Sequence, residues 1–209
     1  MTITLNSEWH QWLKDNLNTD LHSPVELEII PLNLDYNFWI DYYNNSPDKK
    51  SKSDRSKVSE IPSVSEMQDR MLRSGYTREN IEEWYINDKD EEILQYFGED
   101  NVKKLKLLPQ KTTFKIQVYY PSHGLPLHID YYGSSTGKVH HSERDMLTRY
   151  TVQITPWDWG HFLQIGSHVI TNYSPGDAVL IPRNVPHLSV NWGVTPRMFI
   201  TVTGVRSTN

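Results

Sequence analysis

The sequence predicts a mainly β protein with some α structure (α+β), in which N-terminal helices pack on an antiparallel β core. Three observations support this fold class: helical patterns dominate before Pro109, the hydrophobic period is two after it, and turn residues then recur at short intervals. Many short strands between regular turns are typical of a sandwich or a barrel, because closure leaves few strand edges unpaired. We therefore expect one compact domain made of a mixed support region, residues 1–108, and a β core, residues 109–209.

Four helices are predicted in the support region. Ser7 caps the first, Ser63 opens a capping box before the second, and Thr77 and Asp88 start the other two. The apolar positions of the last two helices are Ile81, Trp84 and Tyr85 in one, and Ile93, Leu94 and Phe97 in the other, with Gly98 as a stop.

Strands are predicted where apolar and polar residues alternate. The pattern is clear over residues 113–120, 149–155 and 197–203, and shorter β-rich runs occupy residues 162–165, 168–171, 178–181 and 188–190. In the support region, residues 25–29 have the pattern of a half-buried strand. Residues 44–59 are polar and charged, and they are predicted to form a flexible loop.

Composition excludes several classes of function. The chain has no cysteine, which rules out disulfides, zinc–thiolate sites, iron–sulfur clusters and thiol nucleophiles. A net charge of −5 and a pI near 6.0 give no electrostatic signal for nucleic acid. The N-terminus lacks the pattern of a secretory signal, and no apolar run is long enough to cross a bilayer. We expect a cytoplasmic protein that binds neither nucleic acid nor a membrane.

A potential metal site lies in the β half of the sequence. In His128-Ile129-Asp130 the imidazole and the carboxylate are two residues apart, so on extended backbone they point to the same side. A second histidine, His187, follows a predicted strand. Two histidines and one carboxylate leave coordination positions open, as in the facial triad of non-haem Fe(II) oxygenases, where O₂ and a cosubstrate bind beside the protein ligands. A lone His-x-Asp motif is common by chance, so the prediction depends on the elements around it.

Arg197 is the first such element, ten residues after His187 on the next predicted strand. A buried guanidinium there suits a two-point grip on a carboxylate. With 2-oxoglutarate chelating the iron, Arg197 would take the distal carboxylate. His140 and His141 lie in a polar loop and are interpreted as solvated, although they are the replacements to test should His187 prove remote from the metal.

The order of these motifs resembles that of the 2-oxoglutarate/Fe(II)-dependent oxygenase superfamily, in particular its prolyl-hydroxylase-like branch. The similar region covers residues 112–204, a little under half of the chain. Two positions depart from the pattern of the branch: His161 stands where many relatives have glycine, and Ile181 where an aromatic residue is usual. The matching stretches are Tyr120-Pro121, His128-Ile129-Asp130, the strand beginning at Arg149, Trp159-Gly160-His161-Phe162-Leu163, residues 175–182, His187 and Arg197.

The resemblance implies a double-stranded β-helix core (jelly roll, cupin-like) that holds Fe(II) on His128, Asp130 and His187. It also implies 2-oxoglutarate as cosubstrate and O₂ as oxidant, with ascorbate as a candidate stimulant. Hydroxylation of a substrate would be coupled to the conversion of 2-oxoglutarate to succinate and CO₂. Asp130 favours this outcome, because halogenating relatives lack that carboxylate. By the same resemblance, the cosubstrate-binding candidates are Arg197, Tyr120 and Arg149.

Several questions stay open at this point. The substrate is a peptidyl proline, an amino acid or another small metabolite, and the N-terminal half shapes either the pocket or the contact of a homodimer. A non-catalytic cupin-like binding module and a cupin-type metal enzyme without 2-oxoglutarate are the alternatives, which the intact triad and the absence of a His-x-His motif disfavour. Within the loop 121–148, we expect residues 134–143 to form a lid over the substrate. The residues expected to flank the mouth of the pocket are Trp157, Trp159, Trp192, Tyr131 and Tyr132.

Overall fold

The structure is a computed structural model that describes residues 11, 15, 25–46, 50–52, 84–86, 90–130 and 141–208. Several predictions fall outside this part of the chain. They concern the helices starting at Ser7 and Ser63, apart from Gln11 and Asp15, and also Tyr131, Tyr132 and residues 134–140 of the expected lid.

Two antiparallel sheets make up the body of the described chain. The larger one has seven strands in the order β1-β9-β6-β11-β4-β3-β2, and the smaller one has four in the order β5-β10-β7-β8. The strands are β1 (Ile29–Pro31), β2 (Lys50–Lys52), β3 (Trp84–Ile86), β4 (Leu107–Tyr119), β5 (His123–His128), β6 (Leu147–Gln153), β7 (His161–Ile165), β8 (His168–Ile170), β9 (Asp177–Ile181), β10 (His187–Asn191) and β11 (Arg197–Arg206).

The last eight strands wind between the two sheets as a double-stranded β-helix. Strands β4, β6, β9 and β11 lie next to one another in the larger sheet, whereas β5, β7, β8 and β10 form the smaller one. Because β4 to β7 alternate between sheets and β8 to β11 do so again, the chain wraps two four-stranded sheets face to face, which is the jelly-roll arrangement. The predicted fold class is therefore confirmed, and β1, β2 and β3 extend the larger sheet on both sides.

Three helices pack on the outer face of the larger sheet. They are α1 (Tyr36–Asn44), α2 (Asp90–Phe97) and α3 (Glu99–Lys104), and a 3-10 helix (His141–Met146) precedes β6. Asp35 caps α1 because its carboxylate accepts a hydrogen bond from the backbone nitrogen of Phe38 at 3.1 Å. Trp39 of α1 and Phe97 of α2 are buried in one apolar cluster with Ile200 of β11. No helix in the described part of the chain is long and apolar enough to span a membrane.

The two faces of the larger sheet differ in chemistry. Along β11, Met198, Ile200 and Val202 point outward into the apolar cluster under the helices. Arg197 and Thr203 have the opposite parity, so they point into the space between the sheets. The inner face is mixed, because Phe199 of the same strand lies in an apolar cluster with Tyr119 and Leu125. The alternation therefore separates an apolar outer face from an inner face that carries the buried polar residues.

Two segments of the support region differ from their predictions. One predicted helix contains a strand, and one predicted loop contains another. Trp84 and Tyr85, which were predicted to be helical, lie in β3, where Trp84 is paired with Val118 of β4. The reason is the neighbouring edge: β4 would otherwise present unpaired backbone groups on that side. Lys50–Lys52, within the segment predicted to be a loop, forms β2 and pairs in turn with β3.

One end of the barrel is closed where two turns meet at glycines. Gly160 has a φ of 89°, and a Cβ atom there would lie 2.3 Å from the backbone nitrogen of Gly193. A Cβ atom at Gly193 would in turn lie 2.2 Å from the carbonyl oxygen of Trp159. Because no side chain fits at either position, the two turns can approach closely, and Trp192 donates a backbone hydrogen bond to Gly160 at 2.8 Å.

Candidate metal centre

The three residues predicted as metal ligands come together at the other end of the barrel. His128 is the last residue of β5, His187 is the first of β10, and the two are direct partners in the register of these strands. Asp130 follows two residues after β5. Ligand atoms of all three side chains lie within 4.8 Å of one another, and the two histidines are buried.

The distances between these atoms suit a shared cation. One carboxylate oxygen of Asp130, Oδ1, is 3.7 Å from Nε2 of His128, and the other, Oδ2, is 3.4 Å from Nε2 of His187. The ring centroids of the two histidines are 4.3 Å apart. Two nitrogen donors and one carboxylate are a donor set that binds Fe(II) and related divalent metals.

His187 is held in the tautomer that a metal ligand needs. Its Nδ1 lies 3.0 Å from the carbonyl oxygen of Val185. Since a carbonyl only accepts hydrogen bonds, Nδ1 carries the proton and Nε2 keeps its lone pair directed at Asp130 and His128. A backbone partner on the outer nitrogen of a ligand histidine fixes the orientation of the ring as well.

Asp130 is held as a carboxylate by its neighbours. Burial alone would raise the pKa of Asp130, but the positive charge of Arg149 and the neighbouring imidazoles of His187 and His128 outweigh it and hold that pKa well below its usual range. Arg149 Nη1 is 2.6 Å from Asp130 Oδ2. Arg149, which the family resemblance makes a candidate contact of the cosubstrate, contacts the carboxylate of Asp130 in the structure.

Arg197 is completely buried between the sheets. It is 0% exposed, and its Nη1 donates to Ser189 Oγ at 2.8 Å and to the Phe162 carbonyl at 2.9 Å. Nη2 donates to Gln153 Oε1 at 3.1 Å. Among the described residues no carboxylate pairs with Arg197, and its Nε atom is buried without a hydrogen-bond partner. An isolated buried charge costs several kcal/mol, so this environment is suited to an anionic ligand.

A network of polar side chains surrounds Arg197 at the closed end of the barrel. The Tyr173 ring centroid lies 5.5 Å from the guanidinium carbon. The Tyr173 hydroxyl is 3.4 Å from Nδ1 of His161, and Nε2 of His161 is 3.0 Å from the carbonyl of Thr195. Burial lowers the pKa of His161, which is therefore a neutral structural residue of this network.

Tyr120, the third cosubstrate candidate, lies on the outer face of the larger sheet, away from Arg197. Its neighbour Tyr119 points inward, where its ring centroid is 5.0 Å from that of Phe199. Tyr120 has the opposite parity, is 38% exposed and lies beside Tyr43 of helix α1. The structure thus places Tyr119 rather than Tyr120 on the face that carries Arg197.

The tryptophans expected to flank the pocket mouth are far from the triad. Trp159 and Trp192 are 80% and 58% exposed, and they adjoin His161 and Asn191, which are paired at the end of β7 and β10. His187 lies at the opposite end of β10. Trp157 is also at the closed end, since its Nε1 donates to the His161 carbonyl at 2.9 Å. These side chains therefore surround the closed end of the barrel rather than the triad.

Gln153 and Ser189, the two side chains that hydrogen-bond Arg197, were not among the residues predicted for the site. A signal for both was present. Ser189 is two residues from His187 on a strand, so it shares the face of a predicted ligand. Gln153 is a polar residue at the inward parity of a strand whose outward positions are apolar. Polar residues at buried positions of one parity indicate a ligand-lined face.

Comparisons with known proteins give little beyond architecture. No protein-family model matches the chain, and no curated protein matches it. Similar solved structures include a predicted oxalate decarboxylase from Thermotoga maritima, with 12% identity, a TM-score of 0.37, and coverage of 59% of this chain and 81% of that one. Another is the non-heme monooxygenase ThoJ in its nickel complex, with 15% identity, a TM-score of 0.36, and coverage of 52% of this chain and 49% of that one.

A third similar structure is an uncharacterized conserved protein with a double-stranded β-helix domain from Klebsiella pneumoniae. It has 13% identity and a TM-score of 0.33, and the match covers 48% of this chain and 72% of that one. This chain spans about half the length of the ThoJ chain, 49%. Similarities at this level carry no argument about function, and the strand order of this chain itself establishes the fold.

Proposed function

We propose that this protein is an Fe(II)- and 2-oxoglutarate-dependent dioxygenase that hydroxylates a peptidyl proline, an amino acid or another small metabolite. The observation that carries the proposal is Arg197, a fully buried guanidinium without a carboxylate partner among the described residues. It shares one barrel interior with a cluster of His128, Asp130 and His187. A metal-binding module without a charged cosubstrate has no need of such an arginine.

The positions of the two parts fit a short dicarboxylate. His187 and Ser189 point to the same side of β10, and two residues of a strand span about 7 Å. Arg197 contacts Ser189 at 2.8 Å. A five-carbon dicarboxylate whose keto acid end is at the triad can therefore direct its distal carboxylate to Arg197, which offers a planar set of donors to two oxygens at once.

When bound, Fe(II) and 2-oxoglutarate supply the oxidising chemistry. One C–H bond of the substrate becomes C–OH while 2-oxoglutarate is converted to succinate and CO₂. One atom of O₂ enters the new hydroxyl group and the other enters succinate. The protein's own task is placement. His128, Asp130 and His187 would hold the metal from one side and leave the other side to ligands. Gln153 and Ser189 hold the Arg197 guanidinium in place before any ligand arrives, so little ordering remains to be done on binding.

The chain also controls protonation and water at the site. Asp130 is an anion at neutral pH because Arg149 and the two histidines hold its pKa low. His187 cannot rotate its Nε2 away while Nδ1 is bonded to Val185 at 3.0 Å. The closed end of the barrel buries Arg197 fully, which excludes bulk water and strengthens its attraction for a carboxylate.

The test is anaerobic addition of Fe(II) and 2-oxoglutarate to the metal-free protein, followed by visible absorption. We expect a weak charge-transfer band that requires both components and is absent in His187→Ala. His168→Ala is the matched control, because His168 is an exposed histidine of β8 in the same small sheet. It should keep the band.

Three other outcomes would contradict the proposal in different ways. Fe(II) binding without the band would favour a cupin-type metal enzyme that does not use 2-oxoglutarate. Absence of both would leave a non-catalytic binding module. A band that survives in His187→Ala would mean that the metal lies elsewhere. Succinate released in step with the loss of 2-oxoglutarate then provides the assay for screening substrates.

A further inference from the structure

Of the three triad residues, Asp130 lies on the backbone that is least constrained by strand pairing. His128 and His187 are on paired strands, and their register fixes where each imidazole starts. Asp130 lies beyond the end of β5 and forms no strand pair there. A ligand side chain on irregular backbone needs some other group to hold it in position.

Arg149 provides a connection from Asp130 to the rigid sheet. Its Nη1 contacts Asp130 Oδ2 at 2.6 Å, and its Nε donates to Thr203 Oγ1 at 2.9 Å. Thr203 is buried in β11 and is the register partner of Arg149 in β6. The chain Asp130–Arg149–Thr203 therefore joins the end of the smaller sheet to the centre of the larger one, across the opening between them.

We propose that Arg149 is a positioning residue for the metal: anchored on Thr203, it holds the Asp130 carboxylate toward His128 and His187. The inference rests on the metal site of the proposed function. It assigns Arg149 to the protein ligand rather than to the cosubstrate, since the guanidinium already spans Asp130 and Thr203.

The geometry also explains why the residue is an arginine. Nη1 and Nε belong to one rigid, planar group, so bonding to Thr203 sets the direction in which Nη1 approaches Asp130. A lysine carries the same charge at a single point and cannot make both contacts in a fixed relation. Position and charge are thus separable experimentally.

The experiment measures Co(II) binding to the metal-free protein by titration, together with the visible ligand-field spectrum at saturation. For Arg149→Met we expect affinity to fall by about 10- to 100-fold, which is typical for the loss of a group that orients a metal ligand. Arg149→Lys keeps the charge and should recover only part of the loss. Thr203→Val removes the anchor at nearly constant shape and should weaken binding less than Arg149→Met does.

A matched control is available outside the site. Arg183 pairs with Asp145 at 2.8 Å on the exposed surface, so Arg183→Met removes another arginine–aspartate pair and should leave the Co(II) affinity unchanged. A merely structural role for Arg149 would lower the melting temperature without changing the spectrum at saturating metal. A positioning role changes the spectrum, because the carboxylate is presented differently.

The outcomes separate this inference from the proposed function. If the wild type binds Co(II) and Arg149→Met binds equally well or more tightly, the inference is wrong and the triad assignment stands. If the wild type binds no metal, both are wrong. Should Arg149→Met fail to fold, Thr203→Val and Arg149→Lys decide, since unchanged affinity and spectrum in both would overturn the inference.

Discussion

The two faces of the larger sheet are made by the same strands but have different roles. The outward residues of β4 and β11, such as Ile116 and Ile200, are fully buried under the helices. The inward residues of the same strands include Gln117 and Thr203, and Arg149 projects from β6 on that side. Along β11 the outward parity thus carries apolar packing alone, whereas the inward parity carries the candidate chemistry beside apolar residues such as Phe199.

Burial alone does not distinguish the apolar core of this protein from its candidate site. Ile200 and Arg197 are both 0% exposed, although one contacts apolar side chains and the other a serine, a glutamine and a backbone carbonyl. Apolar burial contributes directly to stability. Buried polar groups contribute little net stability, and a fully buried arginine without a carboxylate partner among the described residues suits an anionic ligand. Substitutions on the two faces should therefore separate folding from binding.

The largest effect is expected at the inner face, for His187→Ala. Removal of a ligand should weaken Co(II) binding by more than about 100-fold, because even the loss of a group that only supports a ligand costs 10- to 100-fold. The metal-free variant should lose only about 1 kcal/mol of stability with the hydrogen bond to Val185. Isothermal titration and urea denaturation measure the two quantities. A large loss of stability would contradict the view that the inner face serves binding rather than folding.

The converse change is Ile200→Ala on the outer face. Deleting most of a fully buried isoleucine should lower the free energy of unfolding by about 2–5 kcal/mol, measured by urea denaturation. The affinity for Co(II) should match that of the wild type under conditions where the variant is folded. If metal affinity fell as steeply as stability, the two faces would not be independent.

Arg197→Met tests the difference between the two faces more closely, because Arg197 is as buried as Ile200 but lies on the inner face. Without the charge-assisted hydrogen bonds to a carboxylate, the affinity for 2-oxoglutarate should fall by about 1.5–3 kcal/mol. Ligand-free stability should be unchanged or higher, since a methionine of similar length replaces a buried unpaired charge. Binding in the presence of Co(II), without oxygen, measures the first, and thermal unfolding the second. A strongly destabilised variant would show that Arg197 is structural.

The smallest effect concerns pH and His161. Burial lowers the pKa of His161, so the unfolded chain binds a proton more readily than the folded one. The stability that His161 contributes is present above about pH 6.5 and is lost as the pH falls below it toward the folded pKa, with a slope of at most about 1.4 kcal/mol per pH unit. His161→Gln should flatten this slope between pH 7 and 5.

The exposed His168 serves as the reference for that measurement, because His168→Gln should leave the slope as it is. Urea denaturation at several pH values gives the comparison. A slope that is the same in His161→Gln and the wild type would mean that other groups account for acid sensitivity, and that the network at the closed end contributes nothing to it.

Much of the β core could be predicted because its outer face is apolar, whereas its inner face carries polar residues as well as apolar ones. The alternation in β4, β6 and β11 is a direct record of that difference. The helix predicted to start at Asp88 is also confirmed as α2, which ends at Phe97 before Gly98. In each case the local pattern and the packing demand agree, and so the sequence alone was sufficient.

Other elements depend on partners that lie far away in the chain. Trp84 has helical spacing from Ile81, but the free edge of β4 determines its state. Helix α1 was missed because aromatic residues such as Trp39 have modest helix propensity, and Asp35 was its only clear signal. Strand context thus outweighs local propensity wherever a sheet edge is nearby.

The candidate site shows the same division. The convergence of His128, Asp130 and His187 followed from motif and spacing, and the orientation of Tyr120 could have been read from the parity of β4. The contact between Arg149 and Asp130 could not be read in this way, because Arg149 lies in the larger sheet, Asp130 follows a strand of the smaller one, and no periodicity relates them.

The closed end of the barrel has a kinetic consequence. Gly160 and Gly193 bring two turns together at the end of the barrel that holds the fully buried Arg197, so under the proposed function a dicarboxylate would reach this arginine from the end that carries the triad. A substrate docked at the triad would then lie across its path. Turnover should follow a compulsory order, with cosubstrate first and substrate second, and a large excess of substrate should inhibit by trapping the empty enzyme.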